Sequence, residues 1–321
     1  MNKNEEFELY LTQLLQKKMS LKQIQSKPIK YRERFCSWIS SQFQLTNPDL
    51  INLGPVADEN CNSFVSMAYE TSLKTLVIVK KNMHNDGSFV LPLNTLYELA
   101  AYIKIKQLKS IHLPTLIGVR ITEFCTNIIS EYIPVSFNKL FDNYQSEFID
   151  LKINELIETV ELLHINNIAH RDIKSSNIRF LHNSCLVLLD FDSVACNQKR
   201  KTLPIVTLNN RAPELIMMEY QKQHEIKEYD AFACDWWSVG CVLGEMFMGE
   251  SLFHANEDTQ SSDVLQEIQI FCLKLFSKEG VSPLKRRMPV HLYELLQCLL
   301  QENPETRIKK FKSWKLQNKT K

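Results

Sequence analysis

Glycine is scarce in this chain, with seven residues in 321 against an average usage of about 7%. Loops that normally rely on a permissive backbone must therefore be built from residues that carry side chains. Nine cysteines are scattered without a single C-x-x-C pair, which excludes the usual zinc-site and disulfide-framework spacings. Reduced thiols in a cytoplasmic or nuclear compartment fit that usage. Charge of one sign is not in excess either: 38 basic and 37 acidic residues leave a net charge of +1. That balance gives no global case for nucleic acid or a membrane surface as a partner. The opening MNKNEEFELY is acidic and lacks the apolar core of a secretory signal. The most apolar late stretch, Trp236 to Gly249, is too short to span a bilayer and contains Glu245. No internal repeat or low-complexity tract occurs. What remains is an ordinary globular composition, 44% hydrophobic and 23% charged, in a chain long enough to bury a sizeable core.

The stretch from Leu163 to Asp192 carries the densest chemistry. It places His170, Arg171, Asp172, Lys174 and Asn177 between two apolar runs. A strand-like run from Cys185 to Leu189 then delivers Asp190-Phe191-Asp192. Phosphoryl transfer needs a carboxylate to orient the attacking hydroxyl, a cation for the moving group and oxygen ligands for magnesium. Asp172, Lys174, Asn177 and Asp190 supply those groups in that order. His170-Arg171-Asp172 with Asn177 resembles the H-R-D-L-x-x-x-N catalytic loop of eukaryotic-type protein kinases, and Asp190-Phe191-Asp192 stands where that family has D-F-G. The alternative for a lone His-Arg-Asp, a chance polar turn between two helices, does not account for all these residues at family spacing.

The resemblance extends over about residues 50 to 310. Thr207-Leu208-Asn209-Asn210-Arg211-Ala212-Pro213-Glu214 is similar to the T-L-x-x-R-A-P-E ending of the activation segment in the cyclin-dependent and mitogen-activated group. By that likeness Thr207 bridges Asp172 and Lys174, and Thr202 lies where cyclin-dependent relatives are phosphorylated. As a bland alternative, Thr202 is a polar loop residue. Asp235-Trp236-Trp237-Ser238-Val239-Gly240 resembles the D-x-W-S-x-G of the central large-lobe helix, and Arg307 matches the late arginine that pairs with Glu214. Both of these are structural residues.

Upstream, Leu76-Val77-Ile78-Val79-Lys80 is a β-branched run ending in a cation, resembling the V-A-I-K of the third strand. Lys80 and Lys81 compete for the nucleotide-pairing role. Val65 lies 15 residues before Lys80, the separation between the valine after the Gly-rich loop and that lysine, and this selects Lys80. In the same register the three loop glycines fall on Asp58, Asn60 and Ser63. Side chains at those places are expected to loosen the phosphate cradle and weaken ATP binding. Gly54 is a candidate displaced first glycine. Leu91 to Leu108 reads as an amphipathic helix whose only acid, Glu98, is the candidate partner of Lys80; a surface glutamate is the plainer alternative. Tyr102, one turn on, faces the same way. Ile129-Ser130-Glu131-Tyr132-Ile133 resembles the strand and hinge that take the adenine, with Ser130 as gatekeeper and the backbone of Glu131 and Ile133 as hydrogen-bonding groups. Asp192 in place of glycine would either stiffen the metal turn or add a carboxylate near the metal.

The resemblance implies an α+β fold in two lobes, a small β-rich N-lobe over 47–133 including the hinge and a larger helical C-lobe over 134–310. A helical extension over 1–46 precedes them, either packed on the small lobe or serving an activating or docking partner. A basic tail over 311–321 follows, read as a solvated end, with nuclear import or docking to an acidic surface as the sharper alternative. The expected function is an ATP- and Mg2+-dependent serine/threonine protein kinase acting on a protein substrate with a Ser/Thr acceptor. In that reading Asp172, Lys174 and Thr207 are catalytic, Val65, Lys80, Glu98, Glu131 and Ile133 bind the nucleotide, and Asn177 and Asp190 hold the metal. The alternatives are a pseudokinase with weak nucleotide binding acting as a scaffold, and a kinase-fold enzyme for a small molecule.

Overall fold

The computed structural model describes residues 34, 37–39, 41–42, 49–56, 63–84, 92–122, 124–138, 145–196, 198–200, 208–220, 228–255, 259–277 and 283–318. Most of the 1–46 extension, Asp58 and Asn60, Thr202 and Thr207 lie outside them. The chain divides into two compact units. The first takes residues 1–134 together with Asp190–Val194, and the second takes Val135–Leu189 and Ala195–Lys321.

The first unit is built on an antiparallel five-stranded sheet. Its strands are β1 (Leu50–Pro55), β2 (Ser63–Glu70), β3 (Thr75–Met83), β4 (Leu116–Ile121) and β5 (Cys125–Glu131), in the order β1-β2-β3-β5-β4. Alternation decides its faces. In β3, Val77 and Val79 are buried and join Ala68, Ile117 and Ile129 in one apolar cluster. Val65 pairs directly opposite Lys80, and Lys80 opposite Ile128. Gly54 pairs with Met67 inside β1, at a shift in register and with φ of +116°. It therefore makes a strand bulge before the β1–β2 turn, where only glycine is unstrained. The helix α1 (Leu93–Lys106) buries Leu96, Leu99, Ala100 and Tyr102.

The second unit is mostly helical. Short strands β6 (Val135–Ser136), β8 (Ile178–Phe180) and β9 (Leu186–Leu188) form one small sheet. The strand β7 (Ile168–Ala169) pairs with β10 (Ala195–Cys196), and β11 (Lys199–Arg200) with β12 (Tyr229–Asp230). Among the described residues its helices are α2 (Ser146–Ile165), α3 (Pro213–Tyr220), α4 (Ala231–Met248), α5 (Ser261–Phe276), α6 (Pro283–Arg287), α7 (Val290–Leu299) and α8 (Pro304–Asn318). The apolar stretch that begins near Trp236 is α4, a helix buried on nearly every side, as a central core helix must be. Asp230 caps it, its carboxylate accepting from the N–H groups of Phe232 and Ala233. Gly249 ends it at φ +80°, donating its N–H to the Glu245 carbonyl, as a left-handed C-terminal glycine does. Gly240 lets α7 approach closely, since a Cβ there would lie 2.8 Å from a Leu300 methyl.

The far end of the chain differs from the sequence reading. Residues after 310 are not a solvated tail, because α8 runs to Asn318 with Phe311 and Trp314 buried. Arg307, Phe311 and Trp314 form one stripe at spacings of four and three, diluted in the sequence by the lysines between them. None of the described helices is long and apolar enough to cross a membrane. The seven described cysteines are all free thiols.

Candidate active site

In the first unit the focus is the ammonium of Lys80. Strand alternation sends Lys80 and Lys81 to opposite faces of β3; Lys81 is exposed, while Lys80 is half-buried. Lys80 Nζ donates to Glu98 Oε1 at 3.1 Å and to Asp190 Oδ1 at 3.0 Å. A third carboxylate, Asp192 Oδ2, lies 3.6 Å from the same nitrogen. One cation thus faces three acids. Burial alone would pull the Lys80 pKa down, but Glu98, Asp190 and Asp192 outweigh it and hold it well above the ordinary lysine value. Glu98 is 2% exposed, and burial pushes it up to about 7; Lys80 opposes that rise, while Asp190 and Asp192 add to it. The crowd of negative charge makes Glu98 the carboxyl best placed to keep a proton.

Asp190 has φ of +64°, a left-handed conformation that aspartate tolerates better than most residues. Asp192 is not among the residues with positive φ, so the backbone there asks for no glycine. Between them Phe191 is fully buried, with its ring 5.8 Å from that of Tyr102 on α1. Burial and the nearby Glu98 hold the Tyr102 hydroxyl well above its ordinary pKa, so it stays neutral. At the end of β5, Ser130 is half-buried and Ile133 is 2% exposed. Glu131 exchanges two hydrogen bonds with Thr115: its Oε1 accepts from Thr115 N at 2.7 Å, and its N–H donates to Thr115 O at 3.0 Å. These bonds fix the segment on which the Glu131 and Ile133 backbone groups sit.

In the second unit the loop after β7 gathers Asp172, Lys174 and Asn177. Asp172 Oδ2 is 2.8 Å from Lys174 Nζ and accepts from Asn177 Nδ2 at 3.0 Å. Asn177 Nδ2 also donates to the Asp172 carbonyl at 2.9 Å. With its nitrogen so used, Asn177 offers its amide oxygen as the remaining polar atom. The other Asp172 oxygen, Oδ1, is buried without a hydrogen-bond partner among the described residues. A buried acceptor of that kind is costly unless a ligand group completes it.

The loop is held from below by Asp235, 1% exposed on α4. Its Oδ1 accepts from Arg171 N at 2.7 Å, and its Oδ2 accepts from His170 N at 2.9 Å and lies 2.8 Å from His164 Nε2. Arg171 has φ of +69°, a conformation this clamp stabilises against its steric cost. His170 Nδ1 accepts from Asp172 N at 3.3 Å, so its Nε2–H is the donor to Leu189 O at 3.0 Å. Leu189 N donates to Asn177 O at 2.7 Å. These bonds tie the loop to the residue just before Asp190. His164 is the positioning residue that sequence reasoning missed. It closes α2 stacked on Phe232, centroids 4.1 Å apart, with its edge toward Trp236. Its partner is 71 residues away, so only a histidine ending an otherwise apolar run hinted at it.

Arg307 is fully buried and grips Glu214 by two bonds, Nη1 to Oε1 at 2.7 Å and Nη2 to Oε2 at 3.0 Å. It also donates to the carbonyls of Ala233, Gln301 and Glu302. Asp190 and Asn177 each carry an oxygen donor of the hard kind that magnesium takes. Lys80, with side-chain exposure of 17%, and Asp190, with 32%, remain accessible to a ligand.

A sheet unit with a lysine–glutamate pair on β3 and α1, and a helical unit with an Asp-Lys-Asn loop clamped by a buried aspartate, are the two parts of a protein-kinase-type domain. The model of the protein kinase domain family matches residues 62–315, and the chain belongs to that family. It is similar to cyclin-dependent kinase 11B of Rattus norvegicus, 26% identical over 244 residues that cover 72% of this chain and 53% of that protein. A serine/threonine-protein kinase KIN28 homolog of Encephalitozoon cuniculi is 31% identical over 176 residues, 53% of this chain and 54% of that one. Mitogen-activated protein kinase HOG1 of Candida albicans is 30% identical over 195 residues, 60% of this chain and 49% of that one. The chain is thus similar to kinases named as cyclin-dependent and mitogen-activated. It spans about half the length of these curated relatives.

Proposed function

We propose that this protein transfers the γ-phosphoryl group of ATP to a serine or threonine hydroxyl of a protein substrate, with Mg2+ as cofactor. The observation that carries the reading is the state of Asp172. One oxygen is held by Lys174 and Asn177, while the other is buried without a hydrogen-bond partner among the described residues. An acceptor hydroxyl donating to Oδ1 would satisfy that atom and be oriented for attack. Lys174, already beside Asp172, adds positive charge where the transferred group carries negative charge. Lys80 holds phosphate oxygens of the nucleotide, with Glu98 fixing its ammonium. The oxygens of Asn177 and Asp190 would hold the metal ion, which when bound neutralises charge on the β- and γ-phosphates. The backbone of Glu131 and Ile133, with Val65 opposite Lys80, would receive the adenine. Thr207 would bridge Asp172 and Lys174 as the resemblance implies.

The test is incorporation of labelled phosphate into a generic basic protein, wild type against Asp172→Asn. The substitution keeps the size and the bonds of the loop but removes the base, and a fall of about 10²–10⁴ in rate is expected. Equal incorporation by both would overturn the reading. A second reading, a pseudokinase acting as scaffold, is favoured by one observation: Asp192 adds a third carboxylate beside Lys80. The discriminating result for it is no incorporation by wild type together with no thermal stabilisation by Mg-ATP.

A further inference from the structure

An ammonium has three N–H donors. At Lys80 two are spent, on Glu98 and on Asp190. A nucleotide phosphate needs the third. The carboxylate of Asp192 stands 3.6 Å from the same nitrogen, beyond a good hydrogen bond and within ion-pair reach. Its side chain is 37% exposed, so it meets an arriving anion rather than lying beneath the pair. Three acids around one cation leave an excess of negative charge at the place where a polyphosphate must dock. Asp192 also lies outside the left-handed region, so its presence is a matter of charge and not of a strained turn.

The geometry points to Asp192 as a specificity-determining residue that makes nucleotide binding depend on a divalent cation: it competes with phosphate for Lys80 and repels a metal-free polyphosphate, and a cation arriving with the nucleotide cancels that repulsion. This inference rests on the nucleotide-binding part of the proposed function. It concerns the selection of metal-loaded over bare nucleotide, which the reaction itself does not specify.

The experiment measures the dissociation constant of ATP by calorimetry, once with excess Mg2+ and once with EDTA, for wild type, Asp192→Asn, Asp192→Gly and Lys80→Met. Asp192→Asn keeps size and backbone and removes only the charge. Both Asp192 variants are expected to bind metal-free ATP about tenfold more tightly than wild type, the scale of one uncompensated charge a few ångströms away in a half-solvated site. Their affinity for Mg-ATP should change by much less, so the advantage given by the metal shrinks. Lys80→Met should bind neither form. Three results would overturn the inference. A gain in Asp192→Gly alone would make the backbone the cause. A loss of Mg-ATP affinity in Asp192→Asn would make Asp192 a metal ligand. No binding of either form by any variant would remove the competition altogether. Phosphate incorporation by wild type separates this from the reaction: activity with an unchanged Asp192→Asn leaves the kinase reading standing without this inference. Inactivity with a metal-free gain does the reverse.

Discussion

Lys80 carries one positive charge and faces Glu98, Asp190 and Asp192 within 3.6 Å. The balance among these side chains sets a pH dependence. Burial raises the Glu98 pKa from 4.5 to about 7 in the folded chain. A carboxyl whose native pKa lies above its unfolded value binds its proton more tightly when folded. Its contribution to stability therefore grows as pH falls from 7 toward 4.5 and is lost as pH rises through 7. Glu98→Gln cannot lose that proton. In metal-free, nucleotide-free protein, the stability of Glu98→Gln relative to wild type should therefore improve by roughly 1–3 kcal/mol between pH 6 and pH 8. Denaturant unfolding at the two pH values measures it, and a gap independent of pH would contradict the assignment. Lys80 itself, held well above the lysine range, stays charged throughout.

At the scale of elements, α4 organises the second unit. Its Asp235 receives the loop of His170 and Arg171, and its first turn gives the Ala233 carbonyl to Arg307. Arg307 joins α8 to Glu214 at the start of α3 through a bidentate pair, with its guanidinium 5.1 Å from the Trp237 ring. Removing one member of a buried ion pair leaves the other charge and several carbonyls uncompensated. Arg307→Ala should thus cost about 3–5 kcal/mol, read as a lowered denaturant midpoint. Arg307→Lys should recover only part of it, because an ammonium cannot reproduce the planar fork. A loss below about 1 kcal/mol in Arg307→Ala would show that the pair behaves as a solvated one.

For the whole molecule, the chain leaves the second unit after Leu189, contributes Asp190–Val194 to the first and returns at Ala195. Lys80 and Asp190, 110 residues apart, thereby belong to the same compact unit. A ligand that engages Lys80 stabilises the folded state by mass action, by about 2.7 kcal/mol at a concentration 100 times its Kd. Mg-ATP is therefore expected to raise the melting temperature, and EDTA to cancel most of the rise. Lys80→Met should show neither effect. A rise of equal size in Lys80→Met would place the nucleotide elsewhere. Legibility from sequence varied with separation. Asp172, Lys174 and Asn177 lie within six residues, so one loop conformation brings them together, and their spacing alone announced it. Strand β3 and helix α1 followed from periodicity, with ends displaced by a few residues. The clamp of His164 on Asp235 and the burial of Phe311 and Trp314 did not, because each depends on a partner surface far away in the chain.

Local order along the chain marked out strand-like and helical stretches and the polar groups suited to phosphoryl transfer, since short-range spacing and apolar alternation are written residue by residue, and the resemblance carried by those motifs implied the α+β fold in two lobes. Folding alone decided that Lys80 meets Asp190 and Asp192 as well as Glu98, that Gly54 makes a bulge in β1, and that His164 closes on Asp235. Those outcomes are electrostatic and steric contacts across tens of residues. Their energies exist only once the backbone has closed and water has been excluded from between the charges.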